Sequence, residues 1–248
     1  MTSLFVISDV HGYVDDLRSA LRGADLIDTA DRWTGGDADL WVLGDLLDRG
    51  PDGIGTIELV RSLQQQAPDH VRALLGNHEA LALGYHLFPE SRFGEVWAIN
   101  GGLESDQERL TDEHVAWLRS LPVLARHGDR LLMHSDTTDY LEWGDSVDDI
   151  NETVSELLAG DDAEAHWEVF AFLTTRFDFA GEDGARVAHD VLQALGGELL
   201  VHGHSIIGTL TQQPSPEIEG PIAYADGLVV AIDGGRYDGG PLLLVELA

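Results

Sequence analysis

Short apolar runs alternate with longer amphipathic stretches along the chain. Seven apolar runs, bounded mostly by Gly, Asp or Pro, predict β-strands at residues 4–8, 40–44, 71–75, 130–134, 198–202, 228–232 and 242–245. The stretches between them predict helices at 14–21, 56–65, 111–121, 149–158, 163–174 and 185–195. Segments 35–39 and 212–223 are predicted to be loops. The alternation is typical of an α/β or α+β fold, and we expect a single domain over residues 1–248.

The charge balance narrows the choice of partners. The chain has 45 acidic against 14 basic residues, for a net charge of -31, and all its basic residues are arginine. This excess of negative charge argues against nucleic-acid and anionic-membrane binding. The first apolar run is interrupted at Asp9, so we expect neither a signal sequence nor a spanning helix, and a cytoplasmic location.

Five of the predicted strands end in residues that can bind a metal ion. Because the carboxyl ends of strands in an open α/β sheet meet at one edge, side chains from separate strands can surround a site there. The chain has no cysteine, so the ligands would be nitrogen and oxygen atoms. The candidates are Asp9, His11, Asp45, Asn77, His134 and His204.

Two of these segments also have ordinary structural explanations. Asp9 and His11 are two residues apart and can point to the same side of an extended chain, but an Asp after a strand often caps a helix. Asn77 could likewise offer its carbonyl oxygen to a metal or cap a helix. The adjacent His78 could donate a proton near neutral pH or face solvent.

The glycine-framed segment Gly44-Asp45-Leu46-Leu47-Asp48-Arg49-Gly50 is more specific. Asp45 could bridge two cations through its two carboxylate oxygens. Arg49 offers a planar fork for phosphate oxygens, although Asp48 and Arg49 could also form a surface ion pair.

The histidines are ambiguous by themselves. His134 follows a strand, where a hydrogen-bonded structural role is common. His202 and His204 lie two apart around a glycine, and we favour His204 as the ligand and His202 as a structural residue.

Together, these ordered segments resemble the calcineurin-like metallophosphoesterases, and most closely their phosphoprotein phosphatase branch. The segments are Ser8-Asp9-Val10-His11-Gly12, the glycine-framed segment 44–50, Gly76-Asn77-His78-Glu79, His134 and Gly203-His204. Segments 97–102 and 232–235 are similar to pieces of bacterial members, including diadenosine tetraphosphatases and small serine/threonine phosphatases. The resemblance implies a four-layer α-β-β-α sandwich of two mixed β-sheets, with a dinuclear metal site at the strand ends.

The resemblance also implies the ligand sets. One ion would be held by Asp9, His11 and Asp45, and the other by Asp45, Asn77, His134 and His204. Two divalent ions are expected, with manganese as the first expectation and iron or zinc as alternatives.

Further roles follow from the same resemblance. His78 would protonate the leaving oxygen and Asp48 would orient its ring. Arg49 and Asn77 would contact phosphate. A second phosphate-binding arginine is expected between the last two histidines, where Arg176 is favoured over Arg186.

One departure from the family pattern affects substrate access. Ser135-Asp136 follows His134 where the family has paired glycines. We expect the extra acidic side chain either to narrow substrate access or to reduce the affinity for a bulky phosphoprotein.

The predicted function is hydrolysis of phosphomonoesters, as by a serine/threonine-type protein phosphatase, on a phosphoprotein, nucleotide or small phosphoester. Two alternatives are a symmetrical dinucleoside tetraphosphate hydrolase and a non-catalytic metal-binding scaffold with the same fold. A scaffold protein would be expected to lack a ligand or the proton donor, whereas Asp45, Asp48, Arg49 and His78 are all present.

Overall fold

The structure, a computed structural model, describes residues 3–247 and contains two β-sheets. The strands are β1 (Leu4–Ile7), β2 (Asp39–Val42), β3 (Val71–Ala73), β4 (Leu124–His127), β5 (Arg130–Met133), β6 (Leu199–His202), β7 (Ile222–Tyr224), β8 (Val229–Ala231) and β9 (Leu244–Leu247). The first sheet has the order β3-β2-β1-β9, with β1, β2 and β3 parallel and β9 antiparallel. The second has the order β4-β5-β6-β8-β7, with a parallel centre and antiparallel edge strands.

Helices connect most of the strands. They are α1 (Val14–Gly23), α2 (Gly53–Gln66), α3 (Asn77–Leu87), α4 (Phe93–Ile99), α5 (Glu104–Arg109), α6 (Asp112–Arg119), α7 (Val147–Ala159), α8 (Ala163–Thr174), α9 (Gly184–Leu195) and α10 (Ile207–Thr211). Several begin at a side-chain cap, as where the Asp52 carboxylate accepts from the Gly55 N–H at 2.9 Å. Among residues 3–247, no helix combines the length and apolarity needed to cross a membrane.

The central strands are buried on both faces, because alternate side chains pack against the other sheet and against the helices. Val6 and Trp41 of the first sheet pack with Leu132 and Val201 of the second, which forms a core between the sheets. The intervening residues, such as Ile7, pack in a larger cluster with helical residues. Two mixed sheets packed together and flanked by helices confirm the predicted architecture.

The predicted elements are present, with ends shifted by up to three residues. The predicted loops are wrong at their ends, because Asp39 begins β2 and Ile222 begins the edge strand β7. Strands β4 and β7 and helices α3, α4, α5 and α10 are additional. α3 escapes prediction because eight of its eleven residues are buried, so it lacks a polar face that would reveal its period.

Candidate metal centre

The parallel strands of both sheets end at the candidate site. β1, β2 and β3 are followed by Asp9, Asp45 and Asn77, and β5 and β6 by His134 and His204. All six predicted ligands are at most 5 % exposed. β8 ends in the same way before the buried Asp233, which the sequence analysis did not select.

The ends of β2 and β3 approach each other closely at two glycines. A Cβ on Gly44, whose φ is +94°, would lie 2.6 Å from the Gly76 backbone nitrogen. A Cβ on Gly76 would lie 2.3 Å from the Asp45 carboxylate. Glycine at both positions therefore lets Asp45 and Asn77 enter one site from neighbouring strands.

The first ligand group centres on His11. Its Nε2 lies 3.6 Å from Asp45 Oδ2 and 4.0 Å from Asp9 Oδ1. The His11 Nδ1–H donates to the Leu47 carbonyl at 3.0 Å, which leaves a lone pair on Nε2. Asp9 Oδ2 accepts from the His204 backbone N–H at 2.8 Å, so its other oxygen is available to a metal.

The second group brings acceptor atoms together without a proton between them. The His134 Nδ1–H donates to the Leu43 carbonyl at 2.7 Å, so Nε2 carries a lone pair. Asn77 Oδ1 lies 3.0 Å and Asp45 Oδ1 lies 3.3 Å from that nitrogen. Converging buried acceptors repel one another unless a cation lies among them, and this donor set therefore fits a metal ion.

Asp45 belongs to both groups, with one oxygen facing His11 and the other facing His134. His204 completes the second group. Its Nε2–H donates to the Thr174 carbonyl at 3.1 Å, which leaves a lone pair on Nδ1. The two groups have the composition expected for two ions that share one carboxylate.

Burial sets the protonation states that metal binding needs. It lowers the pKa of the four site histidines, His11, His78, His134 and His204. It also raises the pKa of Asp45 well above its usual range, and the charges of Asp9 and Glu79 raise it further. Neutral imidazoles can bind metal, and divalent cations would relieve the crowding of the buried acids.

Backbone strain is concentrated at this site. Six of its non-glycine residues have φ between +45° and +66°: Asp9, His11, Asp45, Asp48, Arg49 and His204. Such conformations are costly and persist only where surrounding contacts hold them.

Glu79 supplies such contacts for Asp45. Its buried carboxylate accepts the backbone N–H groups of Asp45, Leu46 and Gly76 at 2.7–2.9 Å. Burial raises the pKa of Glu79 to about 7, although these hydrogen bonds lower it. The sequence analysis assigned Glu79 no role, because its partners are backbone groups of a distant segment.

His78 and Asp48 form a buried pair beside the ligands. The His78 Nδ1 and Asp48 Oδ2 are 2.8 Å apart, and both side chains are 1 % exposed. His78 Nε2 has no hydrogen-bond partner among residues 3–247, and one of the two ring nitrogens lies within 4.8 Å of side-chain atoms of His11 and Asp45. Burial raises the pKa of Asp48 to about 7. The ring is thus fixed at one nitrogen and free at the other.

Arg49 is held over the first ligand group. Its backbone N–H donates to the Gly101 carbonyl at 2.8 Å, and its Nε–H donates to the Asn100 carbonyl at 3.3 Å. Its guanidinium carbon lies 3.9 Å from the ring centroid of Tyr237, whose ring also contacts the edge of His11. The sequence analysis missed Tyr237. The only signal was its position four residues after Asp233, at the end of a strand.

The two candidate second arginines differ in their surroundings. Arg186 pairs with Asp190 at 3.0 Å and Asp183 at 3.7 Å on the exposed face of α9. Arg176 lies in the loop between α8 and α9, and its charge adds to burial in lowering the pKa of His78 and His204. Arg176, whose charge reaches two site histidines, is therefore the better candidate of the two.

The prediction that Asp136 narrows substrate access is wrong. Asp136 is fully buried, with one oxygen accepting from the Ser205 hydroxyl and the other from the Phe177 N–H. The carboxylate lies inside the protein, where these donors satisfy its charge. His202 is also buried, and its Nε2 lies 2.7 Å from the Tyr224 hydroxyl; its structural role stays a prediction.

Comparisons with known proteins point in the same direction. A family model described as calcineurin-like phosphoesterase matches residues 2–208. A symmetrical bis(5'-nucleosyl)-tetraphosphatase of Psychromonas ingrahamii is 32% identical over 133 residues, which cover 50% of this chain and 39% of that protein. Serine/threonine-protein phosphatase 1 of Salmonella typhimurium is 30% identical over 157 residues, 58% of this chain and 64% of that protein. The chain thus matches less than two thirds of the length of either relative.

A solved structure shares the fold. The cold-active protein-tyrosine phosphatase of a psychrophilic Shewanella species superposes with a TM-score of 0.74 at 23% sequence identity. The alignment covers 100% of this chain and 75% of that one.

Proposed function

We propose that this chain, which belongs to the calcineurin-like phosphoesterase family, is a dinuclear metal-dependent phosphoesterase that hydrolyses phosphomonoesters, as a serine/threonine-type protein phosphatase does. The observation that carries the proposal is the shared Asp45, which joins two buried ligand groups beside a histidine with one free ring nitrogen. Manganese is the metal we propose, with iron and zinc as alternatives. The cytoplasmic location stays a prediction. We also propose a single domain, since both sheets share one core.

Asp9, His11 and Asp45 would hold one ion, and Asp45 with Asn77, His134 and His204 the other. When bound, the ions would lower the pKa of water and stabilise negative charge on the phosphoryl group. The remaining steps fall to the chain's own side chains.

Arg49 and Arg176 would bind phosphate oxygens by charge-assisted hydrogen bonds, and Asn77 would contact the phosphate. This local positive charge is needed because the net charge of -31 repels anionic substrates at long range. Tyr237 would limit the motion of Arg49 by stacking against its guanidinium.

His78 would donate a proton from Nε2 to the leaving oxygen, while Asp48 holds Nδ1. Burial lowers the pKa of the free ring. An arriving phosphate dianion would raise it again, because a nearby negative charge stabilises the imidazolium. The proton donor would then be charged when the substrate is bound.

A second candidate substrate is a dinucleoside tetraphosphate. It is favoured by the similarity to symmetrical tetraphosphatases of several bacteria, at 29% to 36% identity. In both reactions water attacks phosphorus. A monoester releases an alcohol and phosphate, whereas symmetrical cleavage of the tetraphosphate breaks a P–O–P bond and releases two nucleoside diphosphates.

The test is turnover by the purified chain with manganese on a panel of phosphoserine peptide, phosphotyrosine peptide, an aryl phosphate and diadenosine tetraphosphate. We expect hydrolysis of the monoesters, and elemental analysis of the same sample should give two metal ions per chain. Selective cleavage of the tetraphosphate would favour the second candidate. A sample that binds metal but cleaves none of the panel would support the scaffold alternative.

A further inference from the structure

Asp136 connects three segments of the site. It follows His134 by two residues, and its Oδ1 accepts from the hydroxyl of Ser205, the residue after His204. Its Oδ2 accepts from the backbone N–H of Phe177 at 3.1 Å, and its own carbonyl accepts from the Asp178 N–H at 3.1 Å. One fully buried residue thus ties the loop after α8 to both strand ends that carry ligand histidines.

Further contacts hold the same loop on either side. The Asp178 carboxylate accepts from the Thr138 N–H at 2.7 Å and from the hydroxyls of Thr138 and Thr137 at 2.9 and 3.1 Å. At the other end, the Thr174 carbonyl accepts from His204 at 3.1 Å. Residues 174–178 are therefore fixed at both ends to residues beside the metal ligands.

The loop is strained where Asp136 holds it. Phe177 has φ of +75°, a conformation that a bulky side chain rarely adopts, and its ring is 37% exposed. The angle φ is the rotation about the N–Cα bond, and Asp136 accepts from the N–H at that nitrogen of Phe177. Phe177 is too exposed for side-chain packing alone to maintain this conformation. Its carbonyl accepts from the Ala180 N–H, and Asp136 accepts from the N–H groups of Phe177 and Asp178, so hydrogen bonds hold the backbone on both sides of the residue.

The residue between the two ties is Arg176, which is exposed and lies two residues after Thr174, whose carbonyl accepts from the candidate ligand His204. An exposed arginine loses considerable side-chain entropy when it binds phosphate, and a mobile backbone would add to that cost. A fixed backbone at Arg176 reduces the loss and directs the guanidinium to the site.

We propose that Asp136 is a positioning residue for Arg176. Asp136 holds the loop 174–178 in the strained conformation that presents the Arg176 guanidinium to the phosphate. The kinetic part of this inference rests on the proposed phosphoesterase function. The structural part, an ordered backbone at Arg176, does not.

The kinetic test is a double-mutant cycle on an aryl phosphate. Asp136→Ala should raise KM, and the inhibition constant of inorganic phosphate, by about tenfold, the effect of losing hydrogen bonds to a charged group. Arg176→Ala should give a similar loss, and the double variant should be no worse than Arg176→Ala alone. Asp136→Asn should retain most activity, because its amide can accept from Phe177 and donate to Ser205. Losses that multiply in the double variant would overturn the proposal.

The structural test uses limited trypsin digestion of the whole chain without substrate. Asp136→Ala should speed cleavage after Arg176 about tenfold, whereas Asp136→Asn should leave it unchanged. Cleavage after Arg32, whose side chain is 73% exposed, is the internal control and should keep its rate in every variant. Unchanged cleavage after Arg176 in Asp136→Ala would refute the positioning role.

Asp178→Ala provides a second variant if Asp136→Ala does not fold. It removes the hydrogen bonds between the loop and Thr138, and Asp178 is only partly buried, so the fold should tolerate the change better. It should also speed cleavage after Arg176, and unchanged cleavage would overturn the proposal. If the native chain hydrolyses no phosphate ester, the proposed function fails, while the digestion still decides whether Asp136 orders the loop.

Discussion

Replacement of His78 by asparagine separates the proposed proton donor from the metal ligands. In the native chain, His78 has one ring nitrogen bonded to Asp48 at 2.8 Å and the other without a partner among residues 3–247. Asparagine can keep a polar contact with Asp48 but cannot donate a proton as an acid near neutral pH. We therefore expect His78→Asn to keep its metal and to lose turnover.

The size of the loss should depend on the leaving group. General acid catalysis contributes about 10²- to 10⁴-fold, so hydrolysis of an alkyl phosphate such as a phosphoserine peptide should fall by that factor. An aryl phosphate with an acidic phenol needs less help from a proton donor and should lose much less. The ratio of the two losses identifies proton donation, because a damaged metal site would lower both rates equally.

The assay is kcat for both substrates, measured on native and His78→Asn samples with metal content determined by elemental analysis. Asp48→Asn is the matched control for ring orientation. It weakens a buried charge-assisted hydrogen bond worth about 1.5–3 kcal/mol, so we expect an intermediate loss on the alkyl substrate. Equal losses on aryl and alkyl substrates, with full metal content, would refute the assignment of His78 as proton donor.

Four further predictions test other parts of the site. Asp45→Asn should lose metal and activity together. It should also abolish the stabilisation by manganese, about 2.7 kcal/mol per site at a hundredfold excess over Kd, as measured by thermal unfolding. Tyr237→Leu should raise KM several-fold, because it removes the ring that stacks on Arg49. Tyr237→Phe keeps that ring and should keep the native KM. Equal KM values in the two variants would contradict the role of Tyr237 in positioning Arg49. Glu79→Ala should lower the free energy of unfolding by about 3 kcal/mol or more, because three buried N–H groups lose their acceptor. The measurement is a denaturant titration, and a change within its error would exclude Glu79 as the support of this backbone. Moderate salt should leave kcat/KM for anionic substrates unchanged or raise it, because salt screens the repulsion from a net charge of -31. A steep fall of kcat/KM with salt would contradict this prediction.

The strands, and the grouping of the candidate ligands at one edge, could be predicted because both follow from local pattern. Each candidate ligand from Asp9 to His204 stands within four residues of the end of a strand, and parallel strands bring those ends to one edge. The topology that makes the edges meet was supplied by the family resemblance. Hydrophobic periodicity alone does not specify which strands are neighbours.

The positioning residues could not be predicted in the same way. Glu79, Tyr237 and Asp136 act on backbone or side-chain groups far away in sequence, such as Glu79 on Asp45 and Tyr237 on Arg49. A carboxylate in the first turn of a helix is usually explained as a favourable interaction with the helix dipole, which conceals its contact with another segment. Asp136 was misread because a charge next to a predicted ligand suggests an effect on the substrate, whereas its donors lie inside the protein.

The same buried acids explain why the strained site can exist in one conformation. Glu79 accepts from the backbone N–H of Asp45, and Asp136 accepts from that of Phe177. Asp45 and Phe177 both have a positive φ. A buried carboxylate costs free energy unless N–H groups satisfy it, and a strained backbone costs free energy unless contacts maintain it. Pairing the two offsets both costs, because backbone donors of a strained segment satisfy the charge. If the proposed function holds, the candidate ligands and the backbone of Arg176 are thereby placed before any substrate arrives, which is the condition for binding energy to be used on phosphate instead of on ordering the site.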